Sequence, residues 1–177
     1  MSKYGFSTKA IHAGQEPDPA TGAIITPIYA TSTFVQESPG KHKGYDYSRS
    51  GNPSRAALEE CIAALEEGSA GFAFASGLAA ESVIIDLLEP GSHIIATDDL
   101  YGGTFRLLEK VKKEAHSLEI SYVDMSDPAA VEAAVQANTR LIWVETPTNP
   151  LLKIVDLKAV ASIAQNHKLI SVCDNTF

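Results

Sequence analysis

Five short stretches of the sequence combine residue types that together suit a small charged ligand. Ser76-Gly77-Leu78 puts a hydroxyl cap and a glycine at a helix start, where free backbone N–H groups suit a phosphate. The same three residues serve equally as a plain serine cap with a glycine turn. Tyr101, followed by Gly102-Gly103, offers a ring that can lie flat on a planar ligand, or an aromatic anchor for its own loop. Asn149, inside Thr146-Pro147-Thr148-Asn149-Pro150, brings amide donors and an acceptor, or only an Asn-Pro turn. Asp174 ends the apolar run Leu169-Ile170-Ser171-Val172-Cys173, and a carboxylate at the tip of a buried strand must be paired or protonated. A cationic ring nitrogen would pair it, as would a helix cap or a salt bridge. Tyr47-Ser48-Arg49 sets a phenol and a guanidinium on one face of an extended segment, a pair that suits phosphate or simply a solvated arm. Neither GxGxxG nor GxxxxGK[ST] occurs, so the dinucleotide fingerprint and the P-loop are both absent.

These residues need a frame, and the hydrophobic pattern supplies one. Residues 1–51 are rich in Gly, Pro, Ser, Thr and Tyr and show no sustained helical period, which predicts an extended arm. An arm this long rarely packs only on itself, so it is expected to reach a neighbouring subunit. Residues 52–177 form the second part. Asn52-Pro53 caps a helix that Gly68 ends. Strands are predicted at 70–75, 93–97, 118–123, 141–144 and 169–173, and helices at 78–88, 104–115, 127–137 and 156–166. The strands are short and apolar on both faces, the signature of a mostly parallel sheet covered by helices. Ligands of such sheets bind outside the carboxyl ends of the strands, where four of the five stretches fall. No covering helix follows the last strand, so the chain is expected to be part of a larger folded unit.

Composition narrows the function classes. The chain has 177 residues, with 22 acidic against 14 basic and a net charge of −8. That balance argues against nucleic-acid and anionic-membrane partners. No apolar run approaches the roughly 20 residues of a membrane span, and no apolar block follows Lys3 as in a secretory signal. Cys61 and Cys173 make no metal-ligand spacing, and two cysteines are a poor disulfide framework, so a reducing cytoplasm is expected. The five histidines are scattered, which gives no metal site. Taken together, the candidate residues describe a ligand with a phosphate, a flat ring and a ring nitrogen that attracts a carboxylate. Pyridoxal 5′-phosphate has all three.

The chain resembles the N-terminal half of the Cys/Met-metabolism pyridoxal-phosphate enzymes, the family of cystathionine γ-synthase, cystathionine γ-lyase, cystathionine β-lyase and methionine γ-lyase. The resemblance rests on Ile25-Thr26-Pro27-Ile28-Tyr29, Tyr45-Asp46-Tyr47-Ser48-Arg49 with Asn52-Pro53, Ala75-Ser76-Gly77-Leu78-Ala79-Ala80, Tyr101-Gly102-Gly103-Thr104, Glu145-Thr146-Pro147-Thr148-Asn149-Pro150 and Asp174-Asn175-Thr176-Phe177. It implies an aspartate-aminotransferase-like (fold type I) cofactor domain, incomplete at its C-terminus. It also implies roles. Gly77 and Leu78 give N–H groups to the cofactor phosphate. Tyr101 stacks on the ring and assists proton transfer. Asp174 pairs with the ring nitrogen, and Asn149 touches the cofactor 3′-oxygen and the substrate carboxylate. Tyr47 and Arg49 reach the phosphate in a neighbouring subunit. Arg106 falls where lyases and synthases of the family keep a substrate-recognising arginine.

The implied activity is γ-replacement or γ-elimination on sulfur amino acids, with cystathionine as substrate or product. The implied assembly is a homo-oligomer, a tetramer built of dimers with shared active sites. Gly103 points away from methionine γ-lyases, which carry Cys there. Cystathionine β-lyase, methionine γ-lyase and homoserine sulfhydrylase activities stand as alternatives, as does a non-catalytic half-chain module. The family's Schiff-base lysine is expected beyond Phe177, because Lys153, Lys158 and Lys168 do not match its motif.

Overall fold

The structure, a computed structural model, describes residues 4–177. It divides into two compact units, one ending at Ala75 and one formed by Ser76–Phe177.

In the first unit residues 4–51 are mostly irregular, with turns and isolated bridges, and they contain a helix, α1 (Phe6–His12), that the sequence pattern does not announce. α1 packs on α2 (Pro53–Leu65), which starts as predicted: Asn52 accepts from the Ser54 N–H and Pro53 opens the first turn. Gly14 joins them with φ +71°, and a Cβ there would collide with the Ala57 carbonyl, so only glycine allows this approach. Asn52 does a second job. Its amide donates to the Tyr29 carbonyl at 3.0 Å and thereby ties the arm to the helix start. The strand predicted at 70–75 is absent. Phe72 and Phe74 are exposed, and the Ala73 N–H donates to Glu59 at 2.9 Å rather than to a ladder.

The second unit is the α/β layer. It contains α3 (Gly77–Ile85), β1 (His93–Thr97), α4 (Gly102–Leu107), a π-helical turn (Leu108–Lys112), α5 (Lys113–His116), β2 (Glu119–Val123), α6 (Pro128–Ala133), β3 (Thr139–Glu145), α7 (Leu157–His167) and β4 (Ile170–Asp174). The four strands are all parallel, in the order β2-β1-β3-β4. Four strands thus stand where the pattern predicts five. The helix predicted at 104–115 is interrupted by the π-helical turn, where the Lys112 side chain is buried and paired with Asp86. The helices predicted at 78–88 and 127–137 stop early, at Ile85 and Ala133.

Alternation along the strands builds two cores. Ile94, Ala96, Leu141 and Trp143 face Ile85 of α3 and Leu108 of the π-helical turn. Ile95, Ile142 and Val144 face Val131 of α6 and Val160, Ile163 and Ala164 of α7. Each large side chain so buried contributes about 1.5–3 kcal/mol. β4 departs from expectation. The pattern predicts a buried strand, whereas among the described residues it is the edge beyond β3, with Ile170, Ser171 and Cys173 exposed.

Candidate functional site

The chain leaves β1 to build β2 on one side and later places β3 on the other. The strand order therefore reverses between β1 and β3, and in sheets of this kind ligands bind at the carboxyl ends of the strands at such a point. Tyr101 follows β1, and Asn149 follows β3. One carboxylate holds both. Glu145, the last residue of β3, accepts the Tyr101 N–H at 2.9 Å through Oε2 and the Asn149 N–H at 3.0 Å through Oε1. A second carboxylate repeats the tie: Asp99 accepts the Thr148 hydroxyl at 2.5 Å and the Leu151 N–H at 2.8 Å. The loops after β1 and β3 are thus fastened to each other by side chains from both.

Asp174 stands beside Glu145, its register partner across β3 and β4. Its carboxylate accepts the Thr176 N–H at 3.1 Å and hydroxyl at 2.6 Å. It is neither a helix cap nor a salt-bridge partner among the described residues. Asn175 donates to the Thr146 carbonyl at 2.5 Å and secures the turn beyond it.

At the start of α3, Ser76 accepts the Ala79 N–H at 3.2 Å. The first turn leaves the Gly77 and Leu78 N–H groups without intrahelical acceptors, at the positive end of the helix. Nothing lies within 4 Å of a Cβ built on Gly77, so the approach is open. The Tyr101 ring lies over Gly103, where a Cβ would overlap it, and is about half exposed. An open helix start, an accessible ring and a carboxylate without a cation are the three features that pyridoxal phosphate needs, and the residues present fit it.

Burial raises the proton affinity of the Glu145 carboxyl. The Tyr101 N–H opposes that shift, Asp174 adds to it, the Asn149 N–H opposes it and Asp99 adds to it. Burial likewise raises Glu81 of α3, against its bond from Thr104, with Asp174 and Glu145 adding to the rise. A few residues away the opposite arrangement holds. Lys153 Nζ pairs with Asp98 at 2.8 Å and Asp124 at 2.9 Å, an ordinary surface triad.

Arg106 sits one turn into α4, exposed, with its guanidinium folded near Gly102. Tyr47 and Arg49 belong to the first unit. There the guanidinium lies over the phenol ring, 5.0 Å from its centroid, and Tyr47 bridges to Thr33. Among the described residues no cluster of His, Cys, Asp or Glu is arranged to hold a metal ion, and no helix is long and apolar enough to cross a membrane. Sequence reasoning assigned no role to Glu145 or Glu81. Glu145 opens the Glu-Thr-Pro loop, and Glu81 shares a helical face with buried Ile85. That spacing is the signal that could have revealed the buried acid.

Comparison with known proteins gives a consistent result. The family model for the Cys/Met metabolism PLP-dependent enzyme matches residues 7–177. A cystathionine β-lyase of Coxiella burnetii is 55% identical over 99% of this chain and 45% of its own length. A probable cystathionine γ-synthase of Herpetosiphon aurantiacus is 53% identical over 98% of this chain and 54% of its own. Among solved structures, cystathionine γ-lyase from Lactobacillus plantarum, complexed with L-serine, superposes with a TM-score of 0.92 at 52% identity. It covers 97% of this chain, which covers 45% of that one. The chain spans about half the length of the relatives it matches.

Proposed function

Because the chain belongs to the Cys/Met metabolism PLP-dependent enzymes, we propose that the protein it spans catalyses γ-elimination or γ-replacement on sulfur amino acids, with cystathionine as substrate or product. The observation that carries this is Glu145, which binds the Tyr101 and Asn149 loops at once and sets both beside Asp174. Pyridoxal phosphate, when bound, supplies an electron sink for a carbanion.

The chain's own residues do the rest. Gly77 and Leu78 N–H groups hold the phosphate at the start of α3. The Asp174 carboxylate keeps a proton on the ring nitrogen. Tyr101 covers the ring and moves a proton with its phenol. Asn149 orients the 3′-oxygen and the substrate carboxylate, and Arg106 recognises the substrate. Tyr47 and Arg49, already paired with each other, reach the phosphate of a neighbouring subunit. The active sites are then shared in a homotetramer of dimers. The proposed location is the cytoplasm.

β-Elimination is the second reading, favoured by the name of the Coxiella relative at 55% identity. Products separate the two. The complete protein, loaded with pyridoxal phosphate and given cystathionine and water, is expected to release cysteine, 2-oxobutyrate and ammonia. Given cysteine and an activated homoserine ester, the synthase form makes cystathionine instead. Homocysteine with pyruvate moves the assignment to β-elimination. No keto acid and no cystathionine from either mixture overturns it.

A further inference from the structure

The carboxyl end of the sheet carries more negative charge than a single ring nitrogen requires. Asp174, Glu145 and Glu81 share it, and among the described residues none of them meets a cation. The ion pairs of this unit lie elsewhere, on Asp86, Glu109, Asp98, Asp124 and Glu132. The three differ in how well they are served. Glu145 accepts two backbone N–H groups, and Asp174 accepts an N–H and a hydroxyl. Glu81 is only 6% exposed and accepts one bond, from the Thr104 hydroxyl at 3.1 Å. Its Oε2 is sealed from solvent and meets no donor.

A buried carboxylate with an empty oxygen beside two other carboxylates is the least favourable place in the cluster for a charge, and so the most favourable for a proton. Resting on the cofactor reading above, we propose that Glu81 is a proton-holding acid of the ring pocket: with no ring bound it is a neutral carboxylic acid, and docking of a cationic ring against Asp174 releases its proton. The Glu81 O–H bond breaks, the electron pair stays on the carboxylate and the proton passes to solvent, with no oxidation or reduction. Thr104 from α4 donates to Glu81, and the charges that act on it are those of Asp174 from β4 and Glu145 from β3. Burial favours the neutral acid, Thr104 opposes it, and the charges of Asp174 and then Glu145 favour it again. A positive charge docked on Asp174 offsets the larger of these two anionic contributions and shifts Glu81 toward ionisation.

The test uses pyridoxamine 5′-phosphate, which carries the ring and the phosphate but forms no imine with a lysine. It is titrated calorimetrically into the cofactor-stripped complete protein, in buffers of different ionisation enthalpy and across pH. Wild type is expected to release protons on binding and to bind more tightly as pH rises, since a proton leaves on association. Glu81→Gln has no such proton, so release falls by about one proton at its maximum and the pH slope of Kd flattens. Thr104→Val removes the donor that favours the carboxylate and moves the release to higher pH. That variant decides the matter if Glu81→Gln fails to fold. Equal proton release in wild type and folded Glu81→Gln, or no shift in Thr104→Val, overturns the inference. Failure of wild type to bind the probe overturns the cofactor reading instead.

Discussion

The two ends of the parallel sheet treat buried polar groups in opposite ways. At the amino end, His93 is 1% exposed and both ring nitrogens are satisfied by hydroxyls: Nδ1 lies 2.8 Å from Thr139 Oγ1 and Nε2 lies 2.9 Å from Ser121 Oγ. The partners are neutral, and burial pushes the ring toward its uncharged form against a small pull from Glu119. At the carboxyl end, Glu81, Glu145 and Asp174 gather with no cation among the described residues. A closed neutral network specifies packing and asks for nothing more. A carboxylate cluster that meets no cation among the described residues favours an added positive charge. In an α/β sheet such a cluster belongs at the ligand-binding end, and here it is found there.

The sharpest way to break this contrast is to cancel the charge beside the ring. Asp174→Asn keeps the shape of the side chain and its turn with Thr176 while removing the anion. In the complete protein loaded with pyridoxal phosphate, turnover is expected to fall roughly 10²-fold or more, the size of a lost preorganised charge. Near-normal turnover would mean that the carboxyl-end cluster is as structural as the histidine network. A smaller effect is expected at Gly103. Its backbone sits under the Tyr101 ring, and a methyl group there overlaps the ring. Gly103→Ala must therefore displace Tyr101, with about a 10-fold loss of kcat and a changed circular-dichroism band of the bound cofactor, since small misplacements are costly in an organised site. An unchanged band together with unchanged kcat would remove Tyr101 from the site.

Much of this was legible in the residues. β1 falls at 93–97 as its apolar run dictates, and the caps at Asn52, Ser76, Asp127 and Asp156 all accept backbone N–H groups, because capping is local chemistry. The 70–75 segment reads as a strand by its apolar composition, but composition does not fix pairing, and it forms none, with Phe72 and Phe74 exposed. The π-helical turn escaped notice because Lys112 is buried, against helical patterning, for the sake of Asp86. Asp174, Tyr101 and Asn149 stood out by their places at strand ends. Glu145 did not, since its value lies in bonds to residues 4 and 44 positions away.

The smallest expected effect sharpens the contrast from the amino end. An unfolded histidine titrates near 6.5, and burial holds the folded His93 ring below that value. As pH falls through 6.5, the unfolded chain takes up a proton that the folded ring refuses. Stability is therefore fully present above that pH and is lost as pH drops toward the folded value. The buried acids run the other way. Glu81 and Glu145 are raised above their ordinary 4.5, so their contribution is complete below that pH and is lost as pH rises through the folded values. Native-state hydrogen exchange of the β1 amides, corrected for intrinsic rates, reads the histidine end locally. Wild-type protection is expected to decline as the medium is acidified past neutrality. His93→Leu should be weaker at neutral pH by about 1–3 kcal/mol, because it strips the Ser121 hydroxyl of its partner. It should also be flat across the window in which wild type declines. A wild-type profile that is itself flat there would show that His93 accepts its proton in place, and the amino end would then be no less a titrating site than the carboxyl end.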